Sequence, residues 1–442
     1  MGTGIIASSK INCDKAQEIG DEGVKAMLNK SFADVKVSRT YKVMPLSFMT
    51  GTVTIRGEVT PVNSSQLFMR IVCVLRDDID KADYFRYELA PTPPALFAGC
   101  CMRKTDKSAF ATLFNHTTYT EDRLETESTF VIDGGYLLHA ATASWPRLAT
   151  YEDICTIYVR HVALHYPSAV VVFDGYSGHP CTKDAEQRRR AARRSCPDIE
   201  FTEHTTTTAS QADFLANRRN KARLIEMLAG WFQAAQIQVR QAQNDADTLI
   251  IRTALEIELS GKSVVVVGSD TDLLAMLIAR TRQDGRVLML HPGTSKSPAK
   301  LYDVPKIQGE IRDMKNALLF AHAVTGGDKT SAIYGKGKKK AYKLLQKEES
   351  LRQEVIKTFY CHTASPEDVR NVGERFVRAL YPSTGKLDSI DELRIQLYTR
   401  TIGRQAVTAR FDLATLPPTR AAVQQHSFRT YLQVSWSSNY SI

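Results

Sequence analysis

Three short apolar runs, each delivering aspartate at its end, constrain this chain more than any other feature. Thr129–Ile132 leads into V-I-D-G-G and Asp133, and Ala169–Phe173 into V-V-V-F-D-G and Asp174. Ser263–Val267 leads into V-V-V-V-G-S-D-T-D, with Asp270 and Asp272. Short, continuously apolar, valine-rich runs read as strands buried on both faces, the kind found in parallel sheets. A fourth run, Val287–Leu290, lacks an acid at its end. Helical patterns lie between them at Tyr151–His165, Lys183–Arg194, Ala209–Ala235 and Ala246–Leu259. Strands alternating with helices predict an α/β fold, a parallel doubly wound sheet with helices on both faces.

Open sheets of this kind bind ligands just beyond the carboxyl ends of their strands. Three strands ending in aspartate would therefore gather their acids in one crevice. N-D-A-D adds Asp245 and Asp247 at the start of the helix that leads to the third strand, and V-T-G-G-D-K-T adds Asp328. Any one of these residues alone is as well explained as a turn or helix cap. The ordered set points further, because converging like charges are costly unless a cation compensates them. Hard oxygen ligands in this number suit Mg²⁺ or Mn²⁺. Two such ions about 4 Å apart can activate a water and stabilise the leaving oxygen of a phosphodiester.

A basic segment follows Asp328: K-T-S-A-I-Y-G-K-G-K-K-K-A-Y-K-L-L. It predicts a helix, a tight glycine turn and a second helix. Gly335 and Gly337 permit positive φ and close backbone approach. The amides opening the second helix would face an anion, with Lys336, Lys338, Lys339 and Lys340 adding charge. Such a unit grips a phosphate backbone without reading bases; the plain alternative is a helical hairpin with a basic face. Lys183 and Arg190 fall two turns apart on a predicted helix and hence on one face. Starting nine residues after Asp174, they are candidates to clamp a scissile phosphate, with Arg188 able to replace Arg190. A solvated basic helix is the alternative there.

Composition sets bounds. Lys+Arg 58 against Asp+Glu 48 leaves a formal charge of +10, which favours a polyanionic partner. No apolar run reaches the 18 or so residues of a membrane span, and no secretory signal pattern opens the chain. An intracellular protein is expected, and a nuclear location would fit a DNA enzyme. The eight cysteines form no C-x-x-C pair, which excludes the usual zinc patterns and fits a reducing compartment, with most of them expected in the core. Three regions are expected over the 442 residues: 1–125 as an N-terminal α+β accessory region without a chemical constellation, 126–350 as the α/β core, and 351–442 as a helical extension. Within the first, Thr50–Val62 alternates like a β-hairpin.

The motifs together resemble the flap endonuclease superfamily, with its PIN-like nuclease core, over roughly residues 126–350. V-I-D-G-G-Y-L-L-H and V-V-V-F-D-G look like its two first acidic strands, N-D-A-D-T-L-I is similar to its E-A-E-A motif, and G-S-D-T-D-L-L resembles its S-x-D-x-D motif. G-G-D-K-T-S-A-I-Y-G-K-G-K-K-K-A looks like the G-x-D-Y segment joined to the helix-two-turn-helix. The resemblance implies a two-metal nuclease acting on branched or end-containing DNA. Asp133, Asp174, Asp245, Asp247, Asp270, Asp272 and Asp328 would hold the metals, Lys183 and Arg190 would match the phosphate-facing basic pair, and K⁺ would sit at the Gly335–Gly337 turn. This sequence departs from the family pattern in three ways. Over 100 residues precede Asp133, the acidic pair is D-A-D rather than E-A-E, and the interval from Asp174 to Lys183 is two residues longer.

Two other readings stay open at the level of sequence: a PIN-type ribonuclease, and a non-catalytic nucleic-acid-binding scaffold that keeps the fold. A phosphatase of the haloacid dehalogenase type fits less well. It wants Thr or Val where Leu274 stands and an acid where Ala332 stands, and it leaves Asp133, Asp174 and Asp245 idle.

Overall fold

The computed structural model describes residues 16–25, 27–30, 50–55, 58–63, 85–88, 92–99, 101–120, 127–140, 144–175, 196–243, 245–294, 297–385, 387–404 and 412–438. The chain forms two compact units, Met1–Cys101 with Ser383–Ala422, and Met102–Pro382 with Val423–Ile442. This division cuts across the three expected regions. Residues after 101 join the sheet unit because Thr117–Thr118 pairs with its edge.

Seven strands build the sheet: β1 (Thr117–Thr118), β2 (Thr129–Asp133), β3 (Val170–Phe173), β4 (Gln238–Gln241), β5 (Val264–Val267), β6 (Val287–His291) and β7 (Lys300–Asp303), in the order β1-β7-β6-β5-β2-β3-β4. The pairs from β6 through β5, β2 and β3 to β4 are all parallel. β7 runs antiparallel to β6, and β1 to β7. The fold is thus the expected mostly parallel α/β sheet. Its centre follows from composition: all four valines of β5 are fully buried, and each fully buried aliphatic side chain contributes roughly 1.5–3 kcal/mol. β4, the polar Q-V-R-Q, takes an edge, and its polarity explains why no strand is expected there from apolar pattern.

The unit's helices are α1 (Ser108–Ala111), α2 (Gly134–His139), α3 (Tyr151–His165), α4 (Gln211–Ala216), α5 (Arg218–Ala234), α6 (Ala246–Leu259), α7 (Thr271–Arg280), α8 (Val304–Ile311), α9 (Leu318–Val324), α10 (Lys338–Lys347), α11 (Glu349–Phe359) and α12 (Pro366–Ala379). Successive strand residues alternate faces. Phe130 and Ile132 of β2, Val171 and Phe173 of β3, and Val265 and Val267 of β5 share one core with α3 and α5. α6 packs on β2, β3 and β5, giving helices on both faces. The single helix expected over 209–235 is two, because Asn217 leaves the helical conformation (φ −83°, ψ 121°) and caps α5 by accepting from the Arg219 and Asn220 amides.

A final helix, Arg420–Ser438, lies within the stretch expected as a helical extension. His426 is buried on it and bonds the Val324 carbonyl at 2.8 Å, which ties this helix to α9. In the other unit Thr50–Ile55 and Glu58–Asn63 pair as the expected antiparallel hairpin. Of the four described cysteines only Cys155 is buried, so the expectation that most lie in the core does not hold for these. Among the described residues, no helix is long and apolar enough to cross a membrane.

Candidate metal centre

The chain leaves β2 for β3 and β4 on one side, then returns through α6 to place β5 on the other side of β2. The gap between β2 and β5 is therefore the switch point where open sheets bind ligands. Asp133 ends β2, Asp174 follows β3 directly, and Asp270 comes three residues after β5.

On the β2–β3 side the acids are braced by backbone amides. Asp133 caps α2, its Oδ1 accepting the Gly135 amide at 2.8 Å. Gly134 has to be glycine, since a Cβ there would fall within the Phe173 ring of β3. Asp174 Oδ1 accepts the amide of Ala246, the first residue of α6, at 3.0 Å. Gly175 admits the close approach of the Ala242 and Gln243 carbonyls from the segment after β4. Asp245 holds the N-cap position of α6 without using its carboxylate as the cap, and Asp247 lies in that helix's first turn.

On the β5 side Asp270 caps α7 by accepting the Asp272 amide at 3.0 Å, and charged or polar side chains do the rest. Asp272 Oδ1 faces His322 Nε2 at 2.8 Å, and its Oδ2 accepts from Lys107 Nζ at 3.0 Å. The same ammonium lies 3.0 Å from Asp328 Oδ1. Behind them Lys338 is 1% exposed, its Nζ donating to the carbonyls of His322 and Gly326 at 2.8 Å each and lying 3.3 Å from His322 Nδ1.

The charges on the two sides differ accordingly. Burial pushes the Asp133 carboxyl up to about 6, reinforced by the nearby charges of Asp174 and Asp270 and opposed by the Tyr136 and Gly135 amides. Burial and Asp272 likewise raise Asp270. Burial works against ionisation of Asp272 too, but His322 and Lys107 overcome it and hold that carboxyl well below its usual range. Lys107 stays charged despite its own burial because Asp272, Asp270 and Asp328 surround it. Burial brings Lys338 down to about 7.

Asp245, Asp247, Asp272 and Asp328 line one cavity of about 780 Å³, shared with His322, Arg252 and Lys329. Asp133, Asp174 and Asp270 adjoin this set through the mutual electrostatic effects just described. Among the described residues, no three His, Cys, Asp or Glu side chains are gathered closely enough to hold a metal ion as they stand.

The glycine turn differs from expectation. The helix before it is α9, which ends ahead of Asp328; the residues between Asp328 and the turn are irregular, and Ile333 and Lys336 form an isolated bridge. Gly335 has the expected positive φ (64°), but Gly337 does not (φ −78°), because it serves as the N-cap of α10. Lys338 points into the protein and not toward a phosphate, since two buried carbonyls need its donors. Lys336 lies over the Tyr381 ring at 4.0 Å, and Lys340 Nζ donates to the Gly335 carbonyl at 2.8 Å. Lys339 and Lys340 are exposed. Lys183, Arg188 and Arg190 lie outside the described residues.

Sequence reasoning missed Lys107 and His322. Lys107 falls in the N-terminal stretch expected to carry no chemistry, as a lone lysine in T-D-K-S. His322 is a single polar residue in the apolar L-L-F-A-H-A-V of α9, a pattern that marks a core helix and nothing more.

Residues 1–88 match a domain of unknown function (DUF8702). No curated protein matches the chain. Among solved structures, it is similar to flap endonuclease-1 from Methanococcus jannaschii at 16% identity, covering 74% of this chain and 98% of that one with a TM-score of 0.38. The catalytic core of Rad2 in complex with DNA substrate is matched at 12% identity over 75% of this chain and 96% of that one (TM-score 0.38). The T5 5′-exonuclease with bound zinc is matched at 13% identity over 71% and 90% (TM-score 0.37).

Proposed function

We propose that this chain is a divalent-metal-dependent, structure-specific nuclease that hydrolyses phosphodiester bonds, with DNA as its substrate. The observation that carries the reading is the delivery of acids from β2, β3 and β5 to one switch point, where burial and mutual repulsion raise Asp133 and Asp270. Acids in that condition are stabilised by a cation, and their oxygen donors fit Mg²⁺ or Mn²⁺. Asp133, Asp174, Asp245 and Asp247 would hold an ion on one side of the site, and Asp270, Asp272 and Asp328 one on the other. A bound divalent ion supplies Lewis-acid polarisation of the scissile phosphate. The chain itself orients the acids through the amides of Gly135, Ala246 and Asp272, and Lys329 brings positive charge to the cavity wall.

Lys183 and Arg190, with Arg188, remain the proposed phosphate clamp. The exposed Lys339 and Lys340 are proposed to meet the nucleic-acid backbone beyond the site. A monovalent cation at the Gly335–Gly337 turn would have to share the Gly335 carbonyl with Lys340.

One observation favours a second reading. Lys107 already pairs with both Asp272 and Asp328, which would suit a binding scaffold without catalysis. End-labelled 5′-flap, splayed-arm, single-stranded and duplex DNA, with matched RNA, incubated in Mg²⁺, Mn²⁺ or EDTA, decide between them. Metal-dependent cutting near a junction is the expected result. Salt-sensitive binding with no cutting of any substrate would establish the scaffold, and cutting of RNA alone the ribonuclease.

A further inference from the structure

The two oxygens of Asp272 are held by side chains of unlike freedom. Oδ1 faces His322 Nε2 at 2.8 Å, and His322 is only 8% exposed, with its Nδ1 backed by Lys338 Nζ at 3.3 Å. Oδ2 accepts from Lys107 Nζ at 3.0 Å, and the same ammonium lies 3.0 Å from Asp328 Oδ1. The Lys107 side chain is 26% exposed and carries its charge on a flexible four-carbon stem. The imidazole is locked against Asp272 from behind, whereas the ammonium has solvent at hand and can leave.

The backbone beneath that stem is fixed. Lys107 is the N-cap residue of α1, whose Phe110 is fully buried and packs on the His322 ring with centroids 5.0 Å apart. Four residues before Lys107, the Arg103 carbonyl accepts the Ala332 amide at 2.8 Å, tying this segment to the stretch that follows Asp328. An ammonium that lets go of the two acids therefore stays within reach of them.

We propose that Lys107 is a built-in competitor for a divalent cation at the Asp272–Asp328 pair. This rests on the metal-centre reading above. Lys107 must release Asp272 Oδ2 and Asp328 Oδ1 before those oxygens can serve an ion, since both cations seek the same hard donors. One ammonium against two carboxylates leaves an excess of negative charge to attract the ion. Because the lysine is tethered, its local concentration at the acids is set by the fold and not by the solution. The contact raises the ion concentration needed to fill the pair, which makes it an autoinhibitory one.

Two measurements test this, neither of which depends on cleavage. Calorimetric titration with Mn²⁺ compares the full-length wild type with Lys107→Ala and Lys107→Arg, with circular dichroism to check folding. Removing the ammonium should tighten Mn²⁺ binding by about tenfold, the scale of one charge-assisted hydrogen bond. Lys107→Arg, which keeps a cation, should stay within about threefold of wild type. If Lys107 served only to hold the acids in place, Lys107→Ala would bind Mn²⁺ no better than wild type, and that result would overturn the inference while leaving the metal centre standing. The second measurement needs no variant. Reductive methylation of the wild-type lysines at rising Mg²⁺ is read by mass spectrometry, with the exposed Lys104 as reference. Labelling of Lys107 relative to Lys104 should rise as Mg²⁺ fills the pair; a constant ratio across the range where calorimetry shows Mg²⁺ binding would overturn the inference. No saturable Mn²⁺ or Mg²⁺ on any of these proteins would overturn the metal centre itself, and this inference with it.

Discussion

The two sides of the switch point solve one problem, the crowding of buried carboxylates, by different means. Asp133 and Asp174 are braced by amides of the helix starts that follow or adjoin their strands. Asp272 and Asp328 are braced by side chains from distant segments, Lys107 and His322, backed by Lys338 and, through α9, by His426. A helix amide orients a carboxylate and stabilises its charge without cancelling it. An ammonium shared between Asp272 and Asp328 offsets one of their two charges. The contrast shows that similar acids at one sheet edge need not be braced in one way.

The largest effect should come from removing either side's strand-end acid. Asp174→Ala and Asp270→Asn are each expected to lower cleavage of labelled DNA by on the order of a thousandfold, the scale of the several kcal/mol a metal supplies, with the circular dichroism spectrum kept. Full activity in Asp270→Asn alone would restrict the chemistry to the β2–β3 side, and full activity in both would remove the nuclease reading.

Next comes the side-chain bracing. Lys338→Ala leaves the buried His322 and Gly326 carbonyls without their donor and should destabilise the fold by about 2–4 kcal/mol in urea titration. A stability equal to wild type would mean that the Asp272 side does not depend on this support.

His426 gives that side an acid sensitivity. Burial brings its imidazole down to about 4, against about 6.5 in an unfolded chain. The folded state therefore binds fewer protons, so this group's contribution is present above pH 6.5 and is lost as pH falls toward 4. At about 1.4 kcal/mol per unit the loss approaches roughly 3 kcal/mol. Melting curves between pH 7 and 4.5 should show a shallower decline for His426→Gln than for wild type; parallel declines would assign the acid sensitivity elsewhere.

The smallest effect separates the exposed turn lysines from the bracing. Lys339→Ala with Lys340→Ala should leave stability within about 0.5 kcal/mol while flattening the salt dependence of nucleic-acid binding by about one to two in log–log slope. An unchanged slope would take the turn out of the interface.

The sheet and one side of the site were legible in the sequence. Continuous valine runs can only be satisfied inside a parallel sheet, and an aspartate between such a strand and a helix start finds its amide within two residues, as Asp133 does with Gly135. Edge strands were not legible, because Q-V-R-Q of β4 carries no apolar signal. Nor was the direction of Lys338, since a lysine in a run of lysines looks solvated until the carbonyls beneath it are seen.

By itself, then, the sequence determined the α/β class, the strands that end in acid and the caps that aim Asp133 and Asp270, because these depend on contacts within a few residues. Only the tertiary structure decided that Asp272 and Asp328 meet Lys107. Lys107 reaches Asp272 across 165 residues and His322 reaches it across 50, and no local periodicity records a pairing made by packing at that distance.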